Sequence, residues 1–389
     1  VTAEPSNLPT ARRALAAAAE WLEEGRRVVL ALLVGIEGSA PLEPGAAMLI
    51  AADGAIEGSI TGGCVEAAVV GEAREVFAGG APRTVTYGIS DELAGTVGLT
   101  CGGTVHVFVQ ELDAEAGEIV RRARAAIVAD RPVAIATLLE GPRAGAKLAI
   151  VDGEVLGGLG STALLDRSVS RDAEGLLAQG RTAVRRYGAD GATLGDEVPV
   201  HITSFATAPR MVIFGAIDFS AALARIAGAV GYRVTISDPR APFLRAPRFE
   251  SVAEVEVGWP EAIYERVRLG PRDAILVFSH DPKLDVPAVR GALATEAGYI
   301  GALGSRQTTQ DRRRRLLADG LPEHELDRVH APCGLDIGST TPEEVAVSVL
   351  AEVIAVRAGR RGQPLSEGST AIHPRHRLDS SPVPSRASN

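Results

Sequence analysis

Cysteine is scarce in this chain: its 389 residues include only Cys64, Cys101 and Cys333. Three scattered thiols cannot form a disulfide framework, which fits a reducing compartment. Excess positive charge is also lacking. The formal net charge is −9, which argues against nucleic-acid binding, since that needs a basic surface. No apolar run approaches the roughly 20 residues that span a bilayer. Residues Val1–Thr10 lack the basic-then-apolar pattern of a signal peptide. The expectation is a cytoplasmic protein with no membrane partner. No Cys-x-x-Cys and no histidine pair at ligand spacing accompanies the cysteines, so a zinc site is not expected. A cysteine protease is not expected either, because His106 falls inside a strand pattern and reads as structural.

What is present is globular composition, 46% hydrophobic and 23% charged. The length exceeds what one hydrophobic core usually serves and predicts two or three domains. Ala11–Glu24 carries Leu15, Ala18, Ala19 and Leu22 on one helical face. A buried strand follows over Val28–Val34, then a strand over Ala47–Ala52. Asp53-Gly54 reads as a hairpin turn, since glycine tolerates the positive φ that such a turn requires. Beyond Gly58-Ser59, the stretch Thr61-Gly62-Gly63-Cys64 opens a helix expected from Val65 to Phe77. Strands follow at Thr84–Tyr87 and Thr104–Gln110.

The next stretch repeats this order. Val133–Leu139, Leu148–Val151, Asp152-Gly153 and Gly157-Gly158 match the earlier pieces, and Thr182–Gly188 echoes Thr84–Gly88. The pattern reads as an internal duplication. In this alignment Ser161, Thr162 and Ala163 stand where the first copy has Gly62, Gly63 and Cys64, so the second copy keeps the scaffold without the reactive loop.

A Pro-containing joint at Ala208-Pro209 opens a strand–turn–helix–strand unit. It comprises Met211–Phe214, Phe219–Val230 with Gly231 as its C-terminal stop, and Arg233–Ser237 ending at Asp238. Later strands at Ala274–Ser279 and Tyr299–Ile300 each run into a polar or Gly-rich loop. Thr341, Pro342 and Glu344 form the start of a last helix with a capping box. The expected class is therefore α/β. A mixed, duplicated N-terminal part (1–112 and 113–208) precedes a Rossmann-like, doubly wound parallel-sheet domain (209–360). Residues 361–389 read as a disordered tail.

A strand, a glycine turn, a helix and an acidic residue about 20 positions on form the dinucleotide pattern. Here the turn is Gly215-Ala216-Ile217-Asp218, with only the first of three glycines. Ile217 puts a branched side chain where backbone should approach a pyrophosphate, and Asp218 puts a negative charge at the helix N-terminus. Asp238 is placed for a ribose hydroxyl. The scaffold is clear, and NAD(P) is not the expected ligand. His280 and Asp281 follow a strand's carboxyl end, where open parallel sheets bind ligands. In the N-terminal part, glycines before a helix can hold an anion, and a helix N-terminus favours thiolate. Cys64 is thus a candidate nucleophile, sulfur carrier or soft-metal ligand, set against the ordinary reading of an unpaired cysteine as a small buried hydrophobe. Cys101, in Leu99-Thr100-Cys101-Gly102-Gly103, is a second such candidate, whereas Cys333 reads as packing.

Several segments in combination resemble the XdhC/CoxI family, accessory proteins for molybdenum hydroxylases such as xanthine dehydrogenase and carbon monoxide dehydrogenase. They are Gly38-Ser39-Ala40-Pro41 with Pro44-Gly45, Gly62-Gly63-Cys64-Val65-Glu66, Leu99–Gly103, His280-Asp281-Pro282, Tyr299–Ala302 with Gly304-Ser305-Arg306, and Gly334-Leu335-Asp336-Ile337-Gly338. The resemblance implies a protein that binds molybdenum cofactor (molybdopterin), protects it during sulfuration by a cysteine desulfurase, and delivers it to the hydroxylase large subunit. That is a cofactor-insertion chaperone rather than a turnover enzyme. It implies Cys64 and Cys101 as cofactor contacts, either of them a molybdenum contact by hypothesis; Gly62, Gly63, Glu66, Gly215, Asp218, Asp238, His280 and Asp281 are further candidate cofactor-binding residues. Asp218 is set to meet the pterin's amino edge. The chain departs from the commoner family pattern at Gly215–Asp218, where many relatives have a second glycine followed by histidine. An NAD(P)-dependent oxidoreductase is the alternative, and a scaffold that never touches cofactor is a third reading. An apolar sheet edge in such a chain favours a homodimer.

Overall fold

Strands buried on both faces read as unbroken apolar runs, and the first strand of this chain is one. The structure, a computed structural model, describes residues 9–38, 40–88 and 103–368. These fall into two compact units, one ending at Thr207 and one starting at Ala208.

The first unit opens with α1 (Pro9–Glu23), β1 (Val28–Glu37), β2 (Ala47–Ala51), β3 (Ile56–Gly58), α2 (Glu66–Phe77), β4 (Arg83–Tyr87) and β5 (Thr104–Glu111). It then repeats that order as α3 (Ala114–Val128), β6 (Val133–Leu138), β7 (Lys147–Val151), β8 (Glu154–Gly157), α4 (Ala163–Gln179), β9 (Ala183–Tyr187) and β10 (Val198–Phe205). Each copy makes a five-stranded sheet, β3-β2-β1-β5-β4 and β8-β7-β6-β10-β9. Neighbouring strands are antiparallel throughout. The identical order in two successive segments is the duplication expected from the sequence.

Side-chain alternation explains the layers. Val29, Ala31 and Leu33 of β1 pack with Val69, Ala73 and Val76 of α2, while Val28, Leu32 and Val34 face a middle layer. That layer holds α1 and α3, whose buried residues recur at helical spacing (Ala11, Ala14, Leu15, Ala18; Ala116, Ile119, Val120, Ala123). The second sheet closes it with Val133, Ile135, Ala149, Val151 and Phe205. Its far face packs on α4 through Leu165, Val169, Ala173 and Leu176. Each fully buried valine or leucine contributes about 1.5–3 kcal/mol, so the two copies stabilise one another through the layer they share.

The helix faces correct the expected register of the repeat. Val65, Val69, Ala73 and Val76 correspond to Leu165, Val169, Ala173 and Leu176, all buried. Gly62-Gly63-Cys64 therefore stands opposite Thr162-Ala163-Leu164, one residue later than the sequence pattern placed it. The slip arises in the hairpins. Ala51 pairs with Ala55 around a longer turn in the first copy, while Val151 pairs directly with Glu154 around Asp152-Gly153 in the second. The second loop recovers the lost residue before α4.

The second unit contains β11 (Arg210–Phe214), α5 (Asp218–Ala229), β12 (Arg233–Ser237), α6 (Ala241–Leu244), β13 (Glu254–Glu256), α7 (Pro260–Arg266), β14 (Ala274–Val277), α8 (Pro282–Leu293), β15 (Tyr299–Ala302), α9 (Arg306–Ala318), α10 (Glu323–Leu326), β16 (Val329–His330) and α11 (Pro342–Arg357). The sheet order is β13-β12-β11-β14-β15-β16, and all pairs are parallel. The chain leaves β11 in one direction and returns on its other side at β14, which is the switch point of a Rossmann fold. Met211, Ile213, Ala274 and Leu276 face α5 and α11. Val212, Phe214, Ile275 and Val277 face α8 and its neighbours. The capping box of α11 is present as expected, Thr341 accepting from the Glu344 backbone and Glu344 from that of Thr341. At the C-terminal end, residues 365–367 form a short 3-10 turn, and residues 369–389 of the expected tail lie outside the described residues. Among the described residues no helix is long and apolar enough to cross a membrane.

One glycine decides where β3 ends. Gly58 has φ +86°, and a Cβ there would lie 2.3 Å from the Ala47 carbonyl oxygen. Gly58→Ala is expected to lower stability by about 2 kcal/mol or more, read as a fall in the urea midpoint; an unchanged midpoint would contradict this close packing.

Candidate functional site

The loop between β3 and α2 is organised by one carboxylate. Glu66 accepts from the Ser59 hydroxyl (2.7 Å), the Thr61 hydroxyl (3.0 Å) and the backbone N–H groups of Ile60 (3.1 Å), Thr61 (2.9 Å), Gly62 (3.0 Å), Gly63 (2.9 Å) and Val65 (3.1 Å). Such convergence needs backbone torsions that side-chain-bearing residues avoid, and Gly62 (φ +80°) and Gly63 (φ +127°) supply them. Successive N–H groups curled in this way form an anion nest. The sequence pattern predicts a loop able to hold an anion, and in the structure its donors turn to the chain's own Glu66. Burial pushes the Glu66 carboxyl up, and the donors from Ser59 and Thr61 outweigh it and hold the group at about 2. Glu66 is thereby a positioning residue for the loop.

Cys64 sits at the crest of this arch, half-buried and resting partly on the core between α2 and its sheet. Among the described residues, a Cβ on Gly62 or Gly63 would meet nothing within 4 Å, so these residues leave the backbone beside Cys64 open. Cys101, with Leu99, Thr100 and Gly102, lies outside the described residues. His106 is structural, as expected from its strand: its ring nitrogens face Thr86 (2.9 Å) and Glu37 (3.2 Å). In the second copy Asp166 takes the place of Glu66 and accepts from the Leu159 N–H at 3.0 Å, without the glycine pair.

The second unit shows a related arrangement at the carboxyl ends of its strands. Gly215 has φ +115°, and a Cβ there would lie 3.0 Å from the Phe278 carbonyl carbon, so glycine is needed where β11 passes β14. Asp238, expected to meet a ribose, is fully buried. One of its oxygens accepts from the Ala216 N–H (2.9 Å) and Arg240 Nη2 (2.8 Å), the other from Arg240 N and Nε (both 2.9 Å). Burial raises its pKa, and the Arg240 and Ala216 donors outweigh this and lower it. Asp218 opens α5, largely exposed, with Arg248 Nε 3.3 Å away. Asp281 caps α8 by accepting from the Lys283 N–H at 3.0 Å, and its charge also acts on Arg240. His280 is exposed and acts electrostatically on the buried Asp285. Asp238 and Asp281 are therefore linked through Arg240, while Gly215 is tied to the same strand end by its N–H to the Ser237 carbonyl. Sequence reading missed Arg240 and Arg248; the signal was an arginine two residues after the acidic position.

A duplicated sheet with a Gly-Gly-Cys arch, followed by a parallel sheet in Rossmann order, is a specific combination. The model of the XdhC and CoxI family matches residues 21–88, and the XdhC Rossmann domain matches residues 211–353. The chain belongs to the XdhC/CoxI family. It is 28% identical to a probable xanthine dehydrogenase subunit of Bacillus subtilis over 86% of this chain and 95% of that protein. It is 27% identical to the molybdenum cofactor insertion chaperone PaoD of Escherichia coli over 89% of this chain and 88% of PaoD. A crystal structure described as a xanthine dehydrogenase from Bacillus halodurans superposes with TM-score 0.61 at 25% identity, covering 92% of this chain and 98% of that one.

Another segment that carried the XdhC/CoxI resemblance is explained by packing. Gly334 has φ +110°, and a Cβ there would lie 2.5 Å from Ser348 Oγ. Its N–H donates to Glu352 at 2.6 Å, and Tyr299 donates to the same carboxylate. Cys333 beside it is buried, which pushes its thiol up to about 12. It is a packing residue, as expected.

The Glu66 arch has a pH signature. A carboxyl lowered from 4.5 to about 2 stabilises the fold fully above pH 4.5 and loses that contribution as pH falls toward 2. Glu66→Gln should therefore destabilise the protein at pH 7 and match it near pH 2, measured by urea unfolding across that range. A stability difference that does not vary with pH would contradict the assignment.

Proposed function

We propose that this chain serves a molybdenum hydroxylase of the xanthine dehydrogenase or carbon monoxide dehydrogenase type as a cofactor-handling accessory protein. It binds molybdenum cofactor, protects it while a cysteine desulfurase partner adds sulfur, and delivers it to the large subunit. The observation that carries this reading is the Gly62-Gly63-Cys64 arch. Glu66 already neutralises its backbone donors, so what the loop offers a ligand is a thiol beside open glycine backbone. A thiol suits a soft metal or sulfur centre better than a phosphate. The names of the Bacillus subtilis and Escherichia coli relatives support the same reading over most of the chain. Cys101 is the second thiol proposed for the cargo. At the Rossmann sheet edge Asp218 and Asp281 offer carboxylates that can accept from amino groups such as those of a pterin, with His280 beside them. A homodimer is the proposed working state, in the cytoplasm.

The reading as an NAD(P)-dependent oxidoreductase is weaker. A ribose hydroxyl would need Asp238, whose two oxygens are committed to Arg240 and Ala216. Displacing those donors would leave a buried carboxylate and an arginine to be resatisfied, which costs more than one hydroxyl returns.

The test is cofactor retention. Protein incubated with molybdenum cofactor under reducing conditions is passed through gel filtration, and bound pterin is measured by fluorescence after oxidation. Cys64→Ser should retain roughly tenfold less than the unmodified chain, an effect of the size of one lost metal or sulfur contact. Equal retention in the two would remove Cys64 from the site, and no retention by either would remove the proposal.

A further inference from the structure

The second copy lacks the Gly-Gly-Cys arch but has something the first does not. Strand register aligns Ala47, Leu32 and Phe108 as one row across the first sheet, all three packed in the middle layer. The same row of the second sheet is Lys147, Thr137 and His201. Their neighbours two residues along, Ala149, Ile135 and Thr203, include the apolar groups of that layer, so the row places an amine, a hydroxyl and an imidazole in its interior. Lys147 is 4% exposed and His201 is 0% exposed.

Such burial is costly for a cation, and a lysine escapes the cost by staying neutral. The partners fit the neutral form. Lys147 Nζ donates to Gln110 Oε1 at 3.0 Å and to Thr137 Oγ1 at 2.9 Å. Those two bonds use both hydrogens of an NH2 group and leave its lone pair. Among the described residues no carboxylate is hydrogen-bonded to it. The composition sharpens the point: of 40 lysine and arginine residues only Lys147 and Lys283 are lysine. Arginine is tolerated almost everywhere that a fixed positive charge is wanted, yet this buried position holds the one basic side chain that can become a nucleophile.

Lys147 also lines two cavities. One, of about 40 Å³, lies in the middle layer with Thr137 and Thr203 on its wall. The other, of about 210 Å³, is lined by Gln110, Glu111, Asp113, Glu115, Arg143 and Lys147 among others. Three carboxylates against Arg143 make that wall unsuited to an acidic ligand.

We propose that Lys147 is a covalent binding site for a small neutral carbonyl compound, held in the 210 Å³ cavity as an imine. The Nζ lone pair adds to the carbonyl carbon. The carbonyl oxygen leaves as water with the two amine hydrogens, and a C=N bond remains, with no oxidant or reductant consumed. Gln110 and Thr137 hold the amine in place before attack. Burial pushes the Lys147 pKa down to about 7, with Asp113 opposing, so the free amine is available at neutral pH. His201 facing it is held neutral by burial, down to about 3, and its Nε2 has no hydrogen-bond partner among the described residues.

With two lysines in the chain the test is direct. The full chain is incubated with glycolaldehyde and cyanoborohydride, which reduces an imine to a stable amine, and adducts are mapped by peptide mass spectrometry. At pH 7 the adduct should form about tenfold faster at Lys147, whose amine Gln110 and Thr137 hold in place, than at the exposed Lys283. The Lys147 rate should fall to half its high-pH value near pH 7. Lys147→Met should abolish that adduct and spare the one at Lys283. Because the comparison is made within the unmodified chain, it holds even if the variant folds poorly. Labelling at Lys283 equal to or above that at Lys147 overturns the proposal.

Discussion

The carboxylate of Glu66 is the constraint on which the N-terminal site depends. Curling five backbone N–H groups toward one point leaves them without sheet or helix partners, and those of Ile60, Thr61 and Val65, which are buried, would be costly to leave unpaired. One anion satisfies them all. With that anion supplied by the chain, the loop keeps its shape in the absence of any ligand. Gly62 and Gly63 are then needed for their torsions, and the position of Cys64 follows from theirs. In the proposed cofactor-handling role, a thiol held on such an arch needs no further ordering of its loop on binding.

The Rossmann sheet follows the same logic with different residues. Its glycine turn directs the Ala216 N–H to Asp238, an internal carboxylate, and Arg240 completes the shell. Asp218 adds a negative charge at the start of α5, and Arg248 offsets it. A dinucleotide would need these donors free and this charge absent. The turn with one of the three glycines is thus accompanied by arginine and aspartate pairs at the same sheet edge. This edge still presents exposed carboxylates and a histidine, a surface suited to hydrogen-bond donors rather than to anions.

Much of this was legible from residue pattern alone. Short apolar runs bounded by glycine and proline turns marked the buried strands, the Thr341–Glu344 pattern marked the last capped helix, and the repeated strand–hairpin–strand order marked the duplication. The Rossmann order of the sheet followed from the strand–turn–helix run after Pro209. Three features were hidden for physical reasons. Glu66 lies next to the loop it organises, but its role depends on a reversal of the chain that spacing does not reveal. The repeat was offset by one residue because a shorter hairpin and a longer loop cancel along the sequence while shifting everything between them. Lys147 has the sequence setting of an exposed lysine, since the Gly141-Pro142-Arg143 turn precedes it by a few residues. Its burial depends on a second sheet and two helices covering it, which is a tertiary fact.

The two copies have diverged in opposite senses. The first copy retains a polar, open loop outside its helix layer and an apolar row inside. The second has a plainer loop, with Asp166 held by one backbone donor, and polar side chains in the inner row. Neither can be dispensed with, because the middle layer draws on both sheets and on α1 and α3 together. A purely structural second copy would be expected to keep the apolar inner row, since Ala, Leu and Phe at those places are compatible with the same backbone in the first sheet. Placing Lys147, Thr137 and His201 there weakens the shared core without relieving any strain visible in the first copy. Buried polar groups that cost stability and satisfy no scaffold need are characteristic of sites where a protein gives up packing for chemistry, and that is the strongest argument that the duplicated half contributes more than support.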